Sequence, residues 1–465
     1  MILTLGWRFH LETPAMWMVI LWGVWVLQVL WSWLNARQFL RRLRMQMQRK
    51  DDLDLVFEPP AVIVVPMKGA DDQLHEHLFG LFNQKYPKYR IAFAVEAEDD
   101  PAYAQLKAVA ESLASLDVVP IEELPDLDVK RLMKMGIRRM PKEGEAPPAP
   151  PPLTRSAGLV DVEVHVSGRA DYGVPKLHNQ LAAIKQLRDD DGAVVFADAD
   201  AAPDPLWLKR LIFPLRKLDV GATTGYRWLI PSDTPDYYLP TLSSRLVSMI
   251  NVSIATLLGS DRRNFAWGGS MAIRRDFMEE IGLMDQWHVA LSDDYELTRK
   301  VKASGKRMYF VARVIVPSPA HYTFKSMMEF GRRQYLVTRI NHPHLWLFAF
   351  FSTTLYMAAF GTVMYEGVLL NLWTLVPYMP VALFEYLRGE TREQIVVELW
   401  GRKMADRLHD MVTLDKWSTW VWMMFHWIFV LSAGVGRKMK WSGTTYRIKG
   451  PHDVIIEGRE DAAEA

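Results

Sequence analysis

Apolar residues in this chain gather into two kinds of pattern, short runs of about five in the middle and long runs of about twenty at the ends. Ala61-Val-Ile-Val-Val65, Ile91–Val95 and Ala193-Val-Val-Phe-Ala197 are apolar on both alternating faces, as strands buried in the centre of a parallel sheet must be. Between the first two, Leu74, Leu78, Leu81 and Phe82 fall on one face of a helical period. Strand, helix and strand in that order predict a βαβ unit, hence an α/β domain whose sheet is largely parallel with right-handed crossovers. Pro175-Lys176-Leu-His-Asn179 opens a helix that leads to Ala193, Val220–Tyr226 reads as a further strand, and Gly268-Gly269-Ser270 runs into one more through Ile273. Phe324–Ile340 mixes arginines with apolar residues and suits a helix lying at a membrane surface.

The long runs predict membrane segments. Ala15–Leu34 has no charged residue and about twenty residues suffice for about 30 Å of hydrocarbon. Leu345–Leu387 fits two spans with a tight turn at Glu366-Gly367, Arg388–Asp410 reads as a charged amphipathic stretch, and Trp417–Val435 is a third apolar run that either spans or re-enters. Arg37, Arg41, Arg42, Arg44, Arg49 and Lys50 follow the first run, so residues 51–340 should be cytoplasmic and residues 1–10 outside. The expected order is an anchor and basic segment (1–50), a catalytic domain (51–322), an interfacial helix (323–344), membrane segments (345–440) and a tail (441–465).

Composition sharpens this. The 465 residues are 50% hydrophobic with 18 Trp and 24 Met, more than a soluble enzyme usually carries. A net charge of +1 gives no sign of a nucleic-acid partner. Zero cysteines exclude disulfides and thiolate metal sites. Residues 126–158 hold a basic run, Lys130–Arg139, and the proline-rich Gly144–Pro152, an insertion that cannot form helix or sheet.

Carboxylates supply the candidate chemistry. Asp198 and Asp200 follow the strand Ala193–Ala197 two residues apart and share a face, at the strand end where parallel sheets bind ligands. Such a pair suits Mg2+ or Mn2+ carrying substrate phosphates. Asp204 before Pro205 reads instead as a helix cap. Asp100, last of the acidic loop Glu96-Ala-Glu98-Asp99-Asp100, precedes Pro101 and is either a cap or a ligand group. Asp293, Asp294 and Glu296 begin a helix with more carboxylate than a cap needs. Gly268 and Gly269 let backbone approach a ligand or simply make a turn. His75 and His77, two apart on a helix, do not face one another and read as surface residues.

Several stretches together resemble the ceramide glucosyltransferase branch of the inverting, GT-A-fold glycosyltransferases: Pro66-Met-Lys-Gly69, Tyr86-Pro-Lys-Tyr89, Asp99-Asp100-Pro-Ala102, Pro175-Lys176, Asp198, Gly268–Ser270, Asp294-Tyr295, Arg339-Ile-Asn341 and Trp441-Ser-Gly-Thr-Thr-Tyr446. The resemblance implies a mixed, mostly parallel sheet held between membrane segments, and transfer of glucose from UDP-glucose to a ceramide hydroxyl with inversion. It assigns donor binding to Glu96, Asp99, Asp100, Lys176 and Asp198, with Asp198 and Asp200 at the metal. Asp294, with Asp293 beside it, is the implied general base, and Gly268, Gly269, Ser270 and Tyr335 face the acceptor. The closing motif departs from the family pattern, with Tyr335 in place of Trp and Gln334 in place of Arg; Arg332 or Arg333 stands in for the missing donor-binding cation. A histidine of animal members falls near Asn251. Two other readings are a processive polysaccharide synthase, for which the apolar segments are few, and a catalytically inactive membrane scaffold, against which the retained aspartates argue.

Overall fold

A computed structural model describes residues 13–48, 56–69, 74–128, 152–232, 240–260 and 263–459. These form two compact units, a helical one with Arg245–Leu257 and Phe324–Val435 joined to the chain up to Arg42, and an α/β one with Leu43–Ser244, Leu258–Thr323 and the chain from Gly436. The basic run from Lys130 and the proline-rich segment up to Pro151 lie outside the described residues, as do residues 1–10.

The α/β unit is built on a mixed seven-stranded sheet, ordered β5-β2-β1-β6-β8-β7-β9. The strands are β1 (Ala61–Pro66), β2 (Tyr89–Val95), β5 (Leu159–Val166), β6 (Ala193–Ala197), β7 (Val220–Pro231), β8 (Ser270–Arg274) and β9 (Arg307–Ala320). Two short strands, β3 (Asp117–Val119) and β4 (Thr154–Ser156), pair in parallel beside it and tie together the two ends of the insertion. Every residue of β1, β2 and β6 is buried, as expected of runs apolar on both faces. β5, β2, β1 and β6 are parallel, as are β7 and β9, and only β8 runs the other way. That reversal brings the start of β8 to the end of β6, with Ser270 opposite Ala197. From β1 the chain winds to β2 on one side and later to β6 on the other, so the crevice beyond their carboxyl ends is a topological switch point, where such sheets bind ligands. At the opposite ends, buried Arg90 joins Asp191 and, at 2.6 Å, Glu163.

Residues 441–465, expected as a tail, hold structure through Arg459. β10 (Lys438–Trp441), β11 (Thr444–Gly450) and β12 (Asp453–Arg459) form an antiparallel sheet within the α/β unit.

In the helical unit, Met16–Gln48 and Pro343–Val368 are long and apolar enough to cross a membrane. Pro343–Val368 is capped by Leu369 and followed by Leu370, whose backbone is left-handed (φ 60°), close to the expected turn. The next helix, Leu375–Trp400, does not stop at Leu387. The stretch from Arg388, expected as a separate charged segment, continues it, with Arg388 and Arg392 both buried on one carboxylate, Asp415, at 2.9 Å each. Internal pairing lets them stay inside the bundle where unpaired charges could not. Thr419–Gly434 has 16 residues, about 24 Å at 1.5 Å per residue and short of the full hydrocarbon thickness.

Candidate active site

Helix Pro175–Ile184 starts with proline at its first position, and its second residue, Lys176, reaches to the end of β6. There one ammonium joins two carboxylates, Asp198 Oδ1 at 2.8 Å and Asp293 Oδ2 at 3.0 Å. Burial disfavours the Lys176 cation, but the charges and hydrogen bonds of Asp198 and Asp293 outweigh it and hold its pKa above the ordinary lysine value. Asp198, although desolvated, is held below the usual carboxylate range by Lys176. Asp200 keeps 55% of its side chain in solvent, with Arg227 Nη1 at 3.7 Å. Partial burial and, at that exposure, above all the like charge of Asp198 push its pKa up.

Asp293 is buried (4% exposed) and fixed from three sides. Gln180 Nε2 donates to its Oδ2 at 2.8 Å, Lys176 meets the same atom, and its Oδ1 accepts the Asp294 amide at 3.0 Å. Gln180 is itself oriented by Trp287 Nε1, which donates to its side-chain oxygen at 3.2 Å. Asp294 stands one residue further on at the start of helix Asp293–Ala303, half-buried, with Ser292 Oγ and the Tyr295 amide donating to its Oδ1. Burial and the Asp293 charge raise its pKa to about 6. A carboxylate so raised suits a general base near neutral pH.

The glycines close this site for a steric reason. A Cβ on Gly268 would lie 2.6 Å from both carboxylate oxygens of Asp293, and one on Gly269 2.5 Å from Asp198 Oδ2 and 2.3 Å from the Trp267 ring. Only glycine lets this loop touch both carboxylates. Ser270, by contrast, is fully buried, and its Oγ accepts from Trp207 Nε1 at 2.8 Å; its hydroxyl braces the core.

The acidic loop after β2 is engaged with the protein. Asp100 Oδ1 caps helix Pro101–Ser112 through the Ala102 amide (2.9 Å) and also accepts the Gly69 amide (2.8 Å), tying this loop to the one after β1. Glu96 is buried and takes the Ala170 amide and Arg459. Asp99 pairs with Arg169 at the surface. Arg332, Arg333, Gln334 and Tyr335 belong to the helical unit. There Arg332 donates to the Val435 carbonyl at 2.9 Å, Arg333 lies over the Phe330 ring, the Gln334 carbonyl accepts from Thr338, and the Tyr335 hydroxyl meets His426. Asn251 is buried in that unit too, on helix Leu242–Ala255.

Three residues escaped the sequence reading. Gln180 sits four residues after Lys176, hence on the same helix face, and that spacing could have found it. Arg227 is the one cation in the otherwise apolar and neutral Val220–Pro231, a signal visible in hindsight. His77, expected at the surface, is buried at 5% exposure. Its helix packs into the core on the face carrying Leu74, Leu78 and Leu81, which takes His77 inward with them.

Carboxylates fixed beyond parallel strand ends, with lysine and arginine among them, are groups that can hold a phosphate and take up a proton. The model of the family described as "Glycosyltransferase like family 2" matches residues 59–336, more than half of the 465. The chain belongs to that family, and its domain has the GT-A fold. It is similar to the mannosyltransferase PcManGT from Pyrobaculum calidifontis in complex with GDP-Man and Mn2+ (14% identity, 89% of this chain and 97% of that one, TM-score 0.39). It is also similar to GalNAc-T7 with UDP, GalNAc and Mn2+ (13%, 62% and 51%, 0.36) and to S. aureus TarS 1–349 (11%, 86% and 100%, 0.32). No curated protein matches the chain.

Proposed function

We propose that this glycosyltransferase is an inverting, membrane-attached enzyme that moves a hexose, glucose by the resemblance, from a UDP-sugar to the hydroxyl of a ceramide-like lipid. The observation that carries the reading is the Lys176 bridge between Asp198 and Asp293, with Asp294 raised to about 6 beside it. It joins a diphosphate-side carboxylate to the carboxylate pair of the base. The acceptor oxygen attacks the anomeric carbon, the bond from that carbon to the diphosphate oxygen breaks, and Asp294 takes the hydroxyl proton. UDP leaves with added negative charge, which Lys176 and Arg227 meet as cations already held in place. Attack opposite the leaving group inverts the anomeric centre.

The donor set fits a hard divalent ion. Asp198 and Asp200 offer only oxygens, Asp200 is open to solvent, and such ions take one or two carboxylates with phosphates and water completing the shell. Bound there, Mg2+ or Mn2+ would act as a Lewis acid neutralising the diphosphate.

Attachment to the bilayer is supported by the helices Met16–Gln48 and Pro343–Val368, and a lipid acceptor is consistent with it. Mass spectrometry of lipids from cells expressing the wild type or Asp294→Asn tests the reading. A hexosylated lipid present only with the wild type is expected; identical lipid profiles would refute it.

A further inference from the structure

The C-terminal sheet, which lies outside the family match ending at residue 336, reaches the helix start that carries Asp293 and Asp294. Its β11–β12 turn grips the chain on both sides of Asp293 and Asp294. Before the pair, the Pro451 carbonyl accepts the Leu291 amide at 2.8 Å. After it, His452 Nε2 meets Glu296 Oε2 at 3.0 Å. Leu291 and Glu296 are 2% and 4% exposed, whereas His452 keeps 31% of its side chain in solvent, so the turn lies over a buried stretch of chain from the surface side. Glu296 is also held by Arg299 Nε at 3.0 Å from its own helix. Ser292, the N-cap residue, makes no side-chain capping bond to the backbone, and its hydroxyl turns to Asp294 instead. The turn therefore adds two contacts, one on each side, to a helix start that Gln180 and Lys176 also hold at Asp293.

The same sheet also touches the segments that follow β1 and β2 and the turn that precedes Lys176. The Val454 carbonyl accepts the Gly173 amide at 3.0 Å, three residues before Lys176. Arg459 holds Glu96 and the Ala170 carbonyl. Lys68, after β1, donates to the Ser442 carbonyl at 2.8 Å and to Thr444 Oγ1 at 3.3 Å.

We infer that His452 is a positioning residue for sugar transfer: with Pro451 it brackets Asp293–Asp294, and its contact with Glu296 sets where those carboxylates stand. The inference rests on Asp294 as the base. On that reading donor binding centres on Lys176, Asp198 and Arg227, so losing the His452–Glu296 contact should act more on the base than on the diphosphate contacts. Misplacement by about 1 Å costs up to about 100-fold in rate.

The test uses the purified full-length protein as wild type, His452→Ala, His452→Gln, Glu296→Gln and Asp294→Asn. UDP release from UDP-glucose with short-chain ceramide gives kcat and donor KM, and hydrogen exchange of the Leu291–Leu297 amides needs no substrate. His452→Ala should lower kcat about tenfold to 100-fold with donor KM unchanged and speed exchange at Leu291–Leu297. His452→Gln, which still donates a hydrogen bond, should recover most of both, and Glu296→Gln should fall between. Exchange and kcat in His452→Ala equal to the wild type would overturn the inference, as would a rise in donor KM alone. If Asp294→Asn keeps full turnover the base reading fails, while the exchange data still judge the positioning.

Discussion

At the scale of single residues, the site sorts its carboxylates by their neighbours. Asp198 has an ammonium, Asp293 has the same ammonium with an amide behind it, and Asp294 has only hydroxyl and backbone donors facing the Asp293 charge. Burial and the Asp293 charge raise the Asp294 pKa to about 6, which is why we propose it as the base. Asp294→Asn should lower kcat by roughly 10² to 10⁴-fold with UDP affinity by calorimetry nearly unchanged. Wild-type kcat should fall as pH drops below about 6, where Asp294 protonates, and the small residual rate of the Asn variant should lose that limb. The raised pKa also has a stability sign: the folded state holds this proton more tightly than the unfolded chain. The contribution is therefore favourable at low pH and is lost as pH rises from about 4 through about 6. Asp294→Asn should then melt no lower than the wild type at pH 7.5; a marked drop in Tm would show the carboxylate to be structural. Arg227→Gln should cost about 10- to 100-fold in kcat/KM, the worth of one hydrogen bond to a charged group, about 1.5–3 kcal/mol. An unchanged value would remove Arg227 from the diphosphate. The aspartates were readable because two-residue spacing on a strand and excess acid at a helix start are sequence patterns. The Lys176 bridge was not, because a contact between residues 22 and 117 positions apart follows only from the sheet order.

At the scale of elements, the decisive one is β8, whose antiparallel insertion beside β6 delivers Gly268 and Gly269 to the carboxylates. Gly269→Ala would force Asp198 or Trp267 aside. We expect UDP affinity to fall at least about tenfold with the far-ultraviolet dichroism of the wild type retained; unchanged affinity would show that the loop gives way elsewhere. The central strands β1, β2 and β6 were legible from their unbroken apolar runs, whereas β5 and β9 were not read. In β5, Val160, Val162, Val164 and Val166 alternate with Asp161, Glu163 and His165, a period-two pattern that marks an edge strand and could have been found. β9 carries Pro317 and Pro319, which argue against a central strand; it lies at the sheet edge, where proline's missing N–H is tolerated. The C-terminal sheet was hidden for another reason. Its strands are short and mostly polar outside, and composition alone reads them as a tail.

At the scale of the whole molecule, the apolar runs identified the long helices well, since length and hydropathy suffice for that. They misjudged Arg388 and Arg392, because counting charges cannot reveal that both are buried on Asp415. The topology reading remains a prediction of the charge rule. The chain has no cysteine of its own, so single introduced cysteines report it. Leu218→Cys, at a position 75% exposed in the α/β unit, should resist an impermeant thiol reagent in intact cells, and Val368→Cys, at a position 78% exposed just before the turn between the two apolar helices, should react. The reverse pattern would invert the topology. The central claim is a single displacement at the anomeric carbon, driven by Asp294 against a diphosphate held by Lys176 and Arg227. The decisive measurement is proton NMR of the first product formed from UDP-glucose, whose glucosyl bond is α: a single displacement yields a β-linked glucolipid, and an α-linked product would rule it out.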